Sequence, residues 1–426
     1  MGLQQLSSGV SLWAAIVLSS ALWGCGPGFR LEDVSERLPE DTSPSGTSST
    51  DIDLVDVDGD GDLDIFVAEG TASIEGRPDR LLINDGFGTF ADESSARLPP
   101  AVTNSSRSDW GDADGDGDLD LTVGTVGPER LLPNDGAGFF LDESAARLPP
   151  PPALLEDISA EARFADVDGD GDLDILIANE NPFVASPLAG GQNRLYLNLG
   201  GGFFSDETAA RLPLRTDQSG GFAIGDLEGD GDLDVIVINR GPEYVLVNDG
   251  EGFFADETGA RFPEVSDTSR GAALADLDGD TDLDLLVANS RGEAPRLYFN
   301  KGAGFFEEGT FTLHPPVYET LTAVELADVD GDGDLDALFA NAGPFQEGHG
   351  FLGGQELYFM NNGHGLFLDR TRAHFPKVLD PSLDVAWGDL DGDGDLDVAV
   401  ANSDPGGGER LYLHRRRPHH ALPSGE

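Results

Sequence analysis

"GFRLEDVSERLP", residues 28–39, returns later in the chain as "GFFLDESAARLP" (138–149) and "GFFADETGARFP" (252–263), there each time behind a long Asp-rich preamble. At 28–39 the preamble is missing, so the end of a repeat stands before the first repeat begins. The preamble itself, "DVDGDGDLD", starts at Asp56 and recurs with small changes from Asp112, Asp166, Asp226, Asp276, Asp328 and Asp389. These seven copies are separated by 56, 54, 60, 50, 52 and 61 residues. After each comes an apolar run such as "ILIAN" (175–179) or "LLVAN" (285–289), a variable loop, an "RLYLN"-like run and a Gly-rich turn. Each unit reads as four short β-segments bounded by Gly, Pro, Asn and Asp. In the second unit the expected strands fall near 106–112, 118–126, 129–133 and 138–144.

Repeated four-strand units of this length, with no long 3.6-residue apolar period between them, predict an all-β chain built as a seven-bladed β-propeller of four-stranded blades. The opening phrase decides between a closed ring and an open solenoid. Fourth-strand phrases follow only six of the seven Asp-rich segments, the last at "GLFLDRTRAHFP" (365–376), whereas the seventh unit ends in "ERLYLHRRR" (409–417). The missing strand is the one at 28–39. Pairing it with the last blade closes the ring and leaves no edge unpaired, an arrangement for which a solenoid has no use.

Composition narrows the partners. With 80 acidic residues against 25 basic ones the net charge is −55, yet 39% of residues are hydrophobic and recur in regular runs, which argues against disorder. No basic stripe is present to bind phosphate, so nucleic acid is excluded as an expected partner. The first residues differ: "SLWAAIVLSSALWGC" (11–25) is an apolar run short for a bilayer span and reads as an export signal over 1–24, although "MGLQQLSSGV" supplies no Lys or Arg. "LWGC" resembles a bacterial lipoprotein box in which Cys25 is lipidated, with Trp23 where a small residue is usual; the alternative is an ordinary secreted protein. Cys25 is the only cysteine, so no intramolecular disulfide stiffens the chain. The expected organisation is a signal at 1–24, a short link at 25–27, the propeller at 28–414 and a basic tail at 415–426, where "HRRRPHH" (414–420) is the one basic cluster.

The Asp-rich loops carry the chemistry. In "DVDGDGDLD" (56–64) carboxylates stand at the first, third, fifth, seventh and ninth places, and Gly61 at the sixth permits the positive φ that folds the loop back on itself. The seventh residue is expected to offer its backbone carbonyl. This follows the ligand logic of an EF-hand loop, with the final acid at nine instead of twelve. Oxygen-only ligation favours Ca2+ over Mg2+ or a transition metal. Bare hairpin turns would explain one "DG" pair but not such clusters at fixed offsets in seven copies, since unneutralised carboxylates repel. The expected metal residues are Asp56, Asp58, Asp60, Asp62 and Asp64; Asp112, Asp114, Asp116, Asp118 and Asp120; and Asp166, Asp168, Asp170, Asp172 and Asp174. They continue with Asp226, Glu228, Asp230, Asp232 and Asp234; Asp276, Asp278, Asp280, Asp282 and Asp284; Asp328, Asp330, Asp332, Asp334 and Asp336; and Asp389, Asp391, Asp393, Asp395 and Asp397. Up to seven Ca2+, one per blade, follow from this set. Glu228 replaces the third Asp of the fourth loop, and Thr281 replaces the turn glycine of the fifth, marking that site as the weakest.

Asp at one, three, five and nine with Gly at six resembles the FG-GAP/VCBS repeat, the unit of the integrin α-chain propeller head. "RLYLNLGGGFFSDET" (194–208) is closer to the bacterial FG-GAP-like and cartilage-acidic-protein branch. The resemblance covers residues 28–414 and departs from the family in its worn "FG" and "GAP" signatures, "FGTF" (87–90) being the nearest. It implies that each loop joins strands 1 and 2 of a blade and that the ions are structural. The strand 2–3 and 4–1 connections would then share the opposite face. Two long 2–3 loops, "NENPFVASPLAGGQN" (179–193) and "NAGPFQEGHGFLGGQ" (341–355), offer Phe183, Phe345, His349 and Phe351 as contact candidates, against the plainer reading that they fold onto the rim. Arg97, Arg147, Arg211 and Arg261 of "ARLP/ARFP" are expected to brace the acidic loops, and Trp110 and Trp387 to be structural.

No catalytic constellation stands out: there is no HExxH-like spacing, no phosphate loop between strand and helix, and acidic pairs are too common to discriminate. The expected function is a non-enzymatic, calcium-binding propeller at the cell envelope, a monomeric adhesion or interaction scaffold for a protein or glycan, touching a membrane only through a lipid anchor. The alternative is a secreted carbohydrate-active enzyme, a polysaccharide lyase or hydrolase, on the same scaffold.

Overall fold

The computed structural model describes residues 29–40, 47–71, 76–150, 158–180, 191–311, 319–346, 350–403 and 408–416. The described strands pair into seven antiparallel units, each running strand 1 to strand 4 from the inside outward. Strand 1 is Thr47–Val55, Ser105–Gly111, Ser159–Ala165, Ser219–Gly225, Asp267–Ala275, Leu321–Ala327 or Ser382–Gly388. Each of these packs against strand 1 of the next unit, and the seventh packs against the first, so the architecture is a β-propeller.

Strand 2 explains why the apolar runs are continuous rather than alternating. Asp174–Asn179, Asp284–Asn289 and Asp397–Asn402 are buried along their whole length because each sheet is covered on both faces by its neighbours. The core is accordingly divided among the interfaces between units. Val55, Phe66 and Leu81 meet Trp110, Leu121 and Phe140, for example, and Ile52, Ile65 and Val67 of the first unit meet Ala399, Leu411 and Leu413 of the last.

The opening phrase takes the place its sequence demands. Phe29–Asp33 is the outer strand of the seventh unit, antiparallel to Arg410–Arg416 with Phe29 opposite Arg416 and Asp33 opposite Tyr412. That strand runs on to Arg416, two residues past the boundary drawn at 414; Arg415 pairs with Asp391 at 3.1 Å and Glu32 at 3.3 Å, so the start of the basic cluster belongs to the ring.

Two details differ from the expectation. In the second unit strand 4 shrinks to a single bridge, Asn134 to Phe140, while strands 2 and 3 are Asp120–Thr125 and Arg130–Leu132. After strand 4 come single helical turns, Ser94–Arg97, Ser144–Arg147, Thr208–Arg211, Thr258–Arg261 and Thr371–His374, with a 3-10 turn at Ser35–Arg37. They escape periodicity because one turn is shorter than one apolar repeat. Each is set by a Ser or Thr whose N–H donates to an Asp two residues back, such as Ser94 to Asp92 at 3.0 Å.

Candidate metal centre

Each acidic loop joins strand 1 to strand 2, at one end of the propeller, and one description serves for most of them. In the first, Gly59 and Gly61 have φ of +72° and +95° and turn the chain around Asp56. Asp56 accepts the backbone N–H of Gly59 at 2.8 Å, Asp60 at 3.1 Å and Gly61 at 3.0 Å, while Asp60 accepts that of Asp62 at 3.0 Å. Asp64, the ninth residue, is buried; it accepts N–H groups from Val57 at 3.3 Å and from Asn84, at the end of strand 3, at 2.8 Å.

The loops bring the first, third and ninth carboxylates together. Asp56, Asp58 and Asp64 place one oxygen each within 4.8 Å of one another, as do Asp112, Asp114 and Asp120; Asp166, Asp168 and Asp174; and Asp276, Asp278 and Asp284. In the sixth loop Asp328, Asp330 and Asp332 do so. The third residue supplies the test of fit: one oxygen each of Asp58, Asp114, Asp168, Asp278 and Asp391 is buried with no hydrogen-bond donor. Leaving a carboxylate oxygen dry and unpartnered is costly, and a hard cation satisfies it. The donor set is all oxygen, so these residues fit a hard cation.

Electrostatics agree. Desolvation, opposed by the backbone N–H donors, pushes the carboxyl of Asp64 up to about 7, Asp174 and Asp234 to about 7, and Asp397 to about 8. A bound cation would hold such groups ionised.

The seventh residue turns its side chain elsewhere. A Cβ built on Gly86 would fall 2.4 Å from Oδ2 of Asp62, and the same closeness joins Gly136 to Asp118, Gly250 to Asp232 and Gly363 to Asp334. These carboxylates pack on the strand 3–4 turn, which leaves the backbone carbonyl as the seventh residue's contribution.

The arginines of "ARLP" brace the loops as expected. Arg147 pairs with Glu143 on its own helical turn and with Asp114 at 3.0 Å, then donates to the carbonyl of Gly201 in the next unit at 3.0 Å. Arg97, Arg211 and Arg261 repeat the pattern through Asp58, Asp168 and Glu228, and each guanidinium lies over a phenylalanine of the following unit, Phe139, Phe253 or Phe305. In the sixth unit His374 takes the arginine's place and packs on Phe29 instead. Desolvation and Asp332 then raise the carboxyl of Asp330 to about 6. Thr281 keeps the glycine geometry in the fifth loop, with φ +80° and its N–H donated to Asp276 at 2.9 Å.

One role was missed in the sequence. The Asn ending strand 3 ties successive loops together: Asn134 donates its side-chain amide to the carbonyls of Val57 at 2.8 Å and Leu119 at 3.3 Å, and Asn198 and Asn248 do likewise. Its recurrence in "RLYLN" was the available signal. On the opposite face, Phe345 and Phe351 meet across a hairpin whose strands are two residues each, with ring centroids 5.4 Å apart, Phe345 being exposed. Phe183, His349 and Cys25 lie outside the described residues.

A family profile described as "FG-GAP-like repeat" matches residues 56–123, 166–237, 226–287, 276–339 and 352–400. Two solved structures of BBS1N in complex with ARL6DN, from crystals soaked with lead or mercury, align at TM-score 0.55 each. Identity is 14% and 13%, with 93% and 88% of this chain and 99% and 94% of those chains covered. A lectin of Agrocybe aegerita recognising non-reducing terminal N-acetylglucosamine aligns at TM-score 0.43 and 17% identity, over 91% of this chain and 93% of that one. No curated protein sequence matches.

Proposed function

Because the chain belongs to the FG-GAP-like repeat family, we propose that it is a non-enzymatic, calcium-binding propeller that serves as an interaction scaffold for a protein or glycan. The observation that carries the metal part is the buried, donorless oxygen of the third carboxylate beside the first and ninth, repeated from loop to loop. The first, third, fifth and ninth carboxylates and the seventh carbonyl would hold the ion, which supplies positive charge and ties the loop together. Around it the chain's own residues do the rest: backbone N–H groups orient the first and ninth acids, and in the first four loops the Arg brace hands the loop to the next unit.

The binding face in this reading is the one opposite the metal loops, where the connections differ in length and composition. Phe345 and Phe351 stand there on their hairpin, and Phe183 and His349 belong to the same loop pair. Export through residues 1–24 with lipidation of Cys25 would place the scaffold at the cell envelope.

Calorimetric titration of Ca2+ into chelator-treated protein, with melting curves before and after, tests the metal reading. Up to seven ions and a rise of many degrees in melting temperature are expected; no heat and an unchanged melt would refute it. Products released from a glycan panel would overturn the non-enzymatic part. Mass spectrometry of the mature N-terminus decides the lipid.

A further inference from the structure

With more than three acids for every base, most described arginines sit in ion pairs; Arg270 and Arg291 are among the described arginines that do not. Arg270 is the extra residue of the β-bulge in strand 1 of the fifth unit, between Ser269 and Gly271. Other units carry Thr50, Ser106, Ala160, Gly220, Thr322 and Leu383 at the corresponding bulge, all uncharged. There Thr50, Ser106 and Thr322 donate a hydroxyl to a backbone carbonyl of the next unit. Arg270 makes no such bond, and its Nε is buried without an acceptor.

Other bases converge on the same end of the propeller. Arg240, near the end of strand 2 of the fourth unit (Asp234–Gly241), and Arg291, at the turn after strand 2 of the fifth, line a cavity of about 450 Å³ together with Gln218, Ser266, Asp267 and Thr268. Arg291 is exposed, forms no ion pair among the described residues, and is held at φ +58°, a strained conformation for a residue with a Cβ. Arg107 reaches across the axis from the second unit to the carbonyl of Thr322 at 3.0 Å, past Gly271. Three acids lie beside the group and each has a partner: Glu180 pairs with Arg240, Asp267 pairs with Arg296, and Glu293 accepts the backbone N–H of Thr268. Burial, and then the repulsion of Arg240, hold the Arg270 guanidinium down to about 10, which an anion would relieve.

We propose that Arg240, Arg270 and Arg291 form an oxyanion-binding site on the face opposite the metal loops, taking a sulfate, phosphate or carboxylate group. Guanidinium forks match the planar or tetrahedral oxygens of such groups, and the hydroxyls of Ser266 and Thr268 add neutral donors. The site deepens the reading of this face as the binding face. It is independent of the calcium reading, which is scored at the other end of the molecule.

The test titrates sodium sulfate, methyl phosphate and sodium acetate into the full calcium-loaded chain at constant ionic strength in chloride. At least one should bind with millimolar or better affinity, and the three arms separate the sources of the group. Arg270→Gln and, as an exposed variant, Arg291→Gln should each weaken that binding at least tenfold while leaving the calcium titration unchanged. In chloride alone Arg270→Gln should melt at the same temperature as the parent or higher. Failure of all three anions to bind, equal binding by both variants, or a lower melt for Arg270→Gln in chloride would overturn the proposal.

Discussion

Truncating the strand supplied by the N-terminal segment is the sharpest test of the ring. Phe29 and Leu31 are 2% and 1% exposed, and both lie in the core between the sixth and seventh units. The Phe29 ring sits 4.1 Å from His374, 4.6 Å from His414 and 6.0 Å from Tyr358. Removing a buried phenylalanine costs about 3–5 kcal/mol and a buried leucine about 2–5 kcal/mol. The two are neighbours on one strand, so the sum is an upper limit, and about 4–8 kcal/mol is expected for Phe29→Ala/Leu31→Ala. That is a large part of the roughly 5–15 kcal/mol that keeps a domain folded. Urea unfolding in saturating Ca2+, followed through the buried Trp110 and Trp387, reads it directly. The strand carries no loop carboxylate, so calcium stoichiometry should persist in the folded fraction. The exposed edge of Arg410–Arg416 should also make the variant self-associate. A loss below about 1 kcal/mol, with no self-association, would refute the idea that this strand closes the ring.

Thr281→Gly should stabilise the protein by about 1 kcal/mol, because it relieves a β-branched residue at φ +80°, and should tighten calcium at that loop; a lower urea midpoint would contradict this. Arg147→Ala, which strips Asp114 of its brace and breaks the link to Gly201, should cost about 2–3 kcal/mol in chelator and less in Ca2+. Burial raises the carboxyls of Glu243 and Glu356, which accept hydrogen bonds from Ser269 and Ser382 of the next unit, to about 7. Their folded pKa lies above the unfolded one, so the folded state binds the extra protons between about pH 4.5 and 7, and stability falls as pH rises through that window. In saturating Ca2+, Glu243→Gln should flatten the decline; an unchanged slope would argue against a buried, protonated Glu243.

The propeller and its acidic loops were legible because a repeat presents the same residues many times. Seven Asp-rich copies, the continuous apolar run after each, and one stray fourth-strand phrase at 28–39 together required a closed arrangement of four-stranded units. The bracing role of Arg97, Arg147, Arg211 and Arg261 could also be read, since a basic residue recurs beside so many acids.

What the chain order could not reveal is what one unit does to the next. Asn134 reaches back to the carbonyl of Val57, Arg107 reaches across to that of Thr322, and Arg270 lies near Arg240 and Arg107. These partners lie far apart in sequence and meet only because the sheets close around an axis. Local pattern sets which segments become strands and loops, because backbone propensity and burial act over a few residues. The contacts between units are set by packing in three dimensions, and there the departures from the repeat, Arg270, Arg291, Thr281 and His374, acquire their meaning.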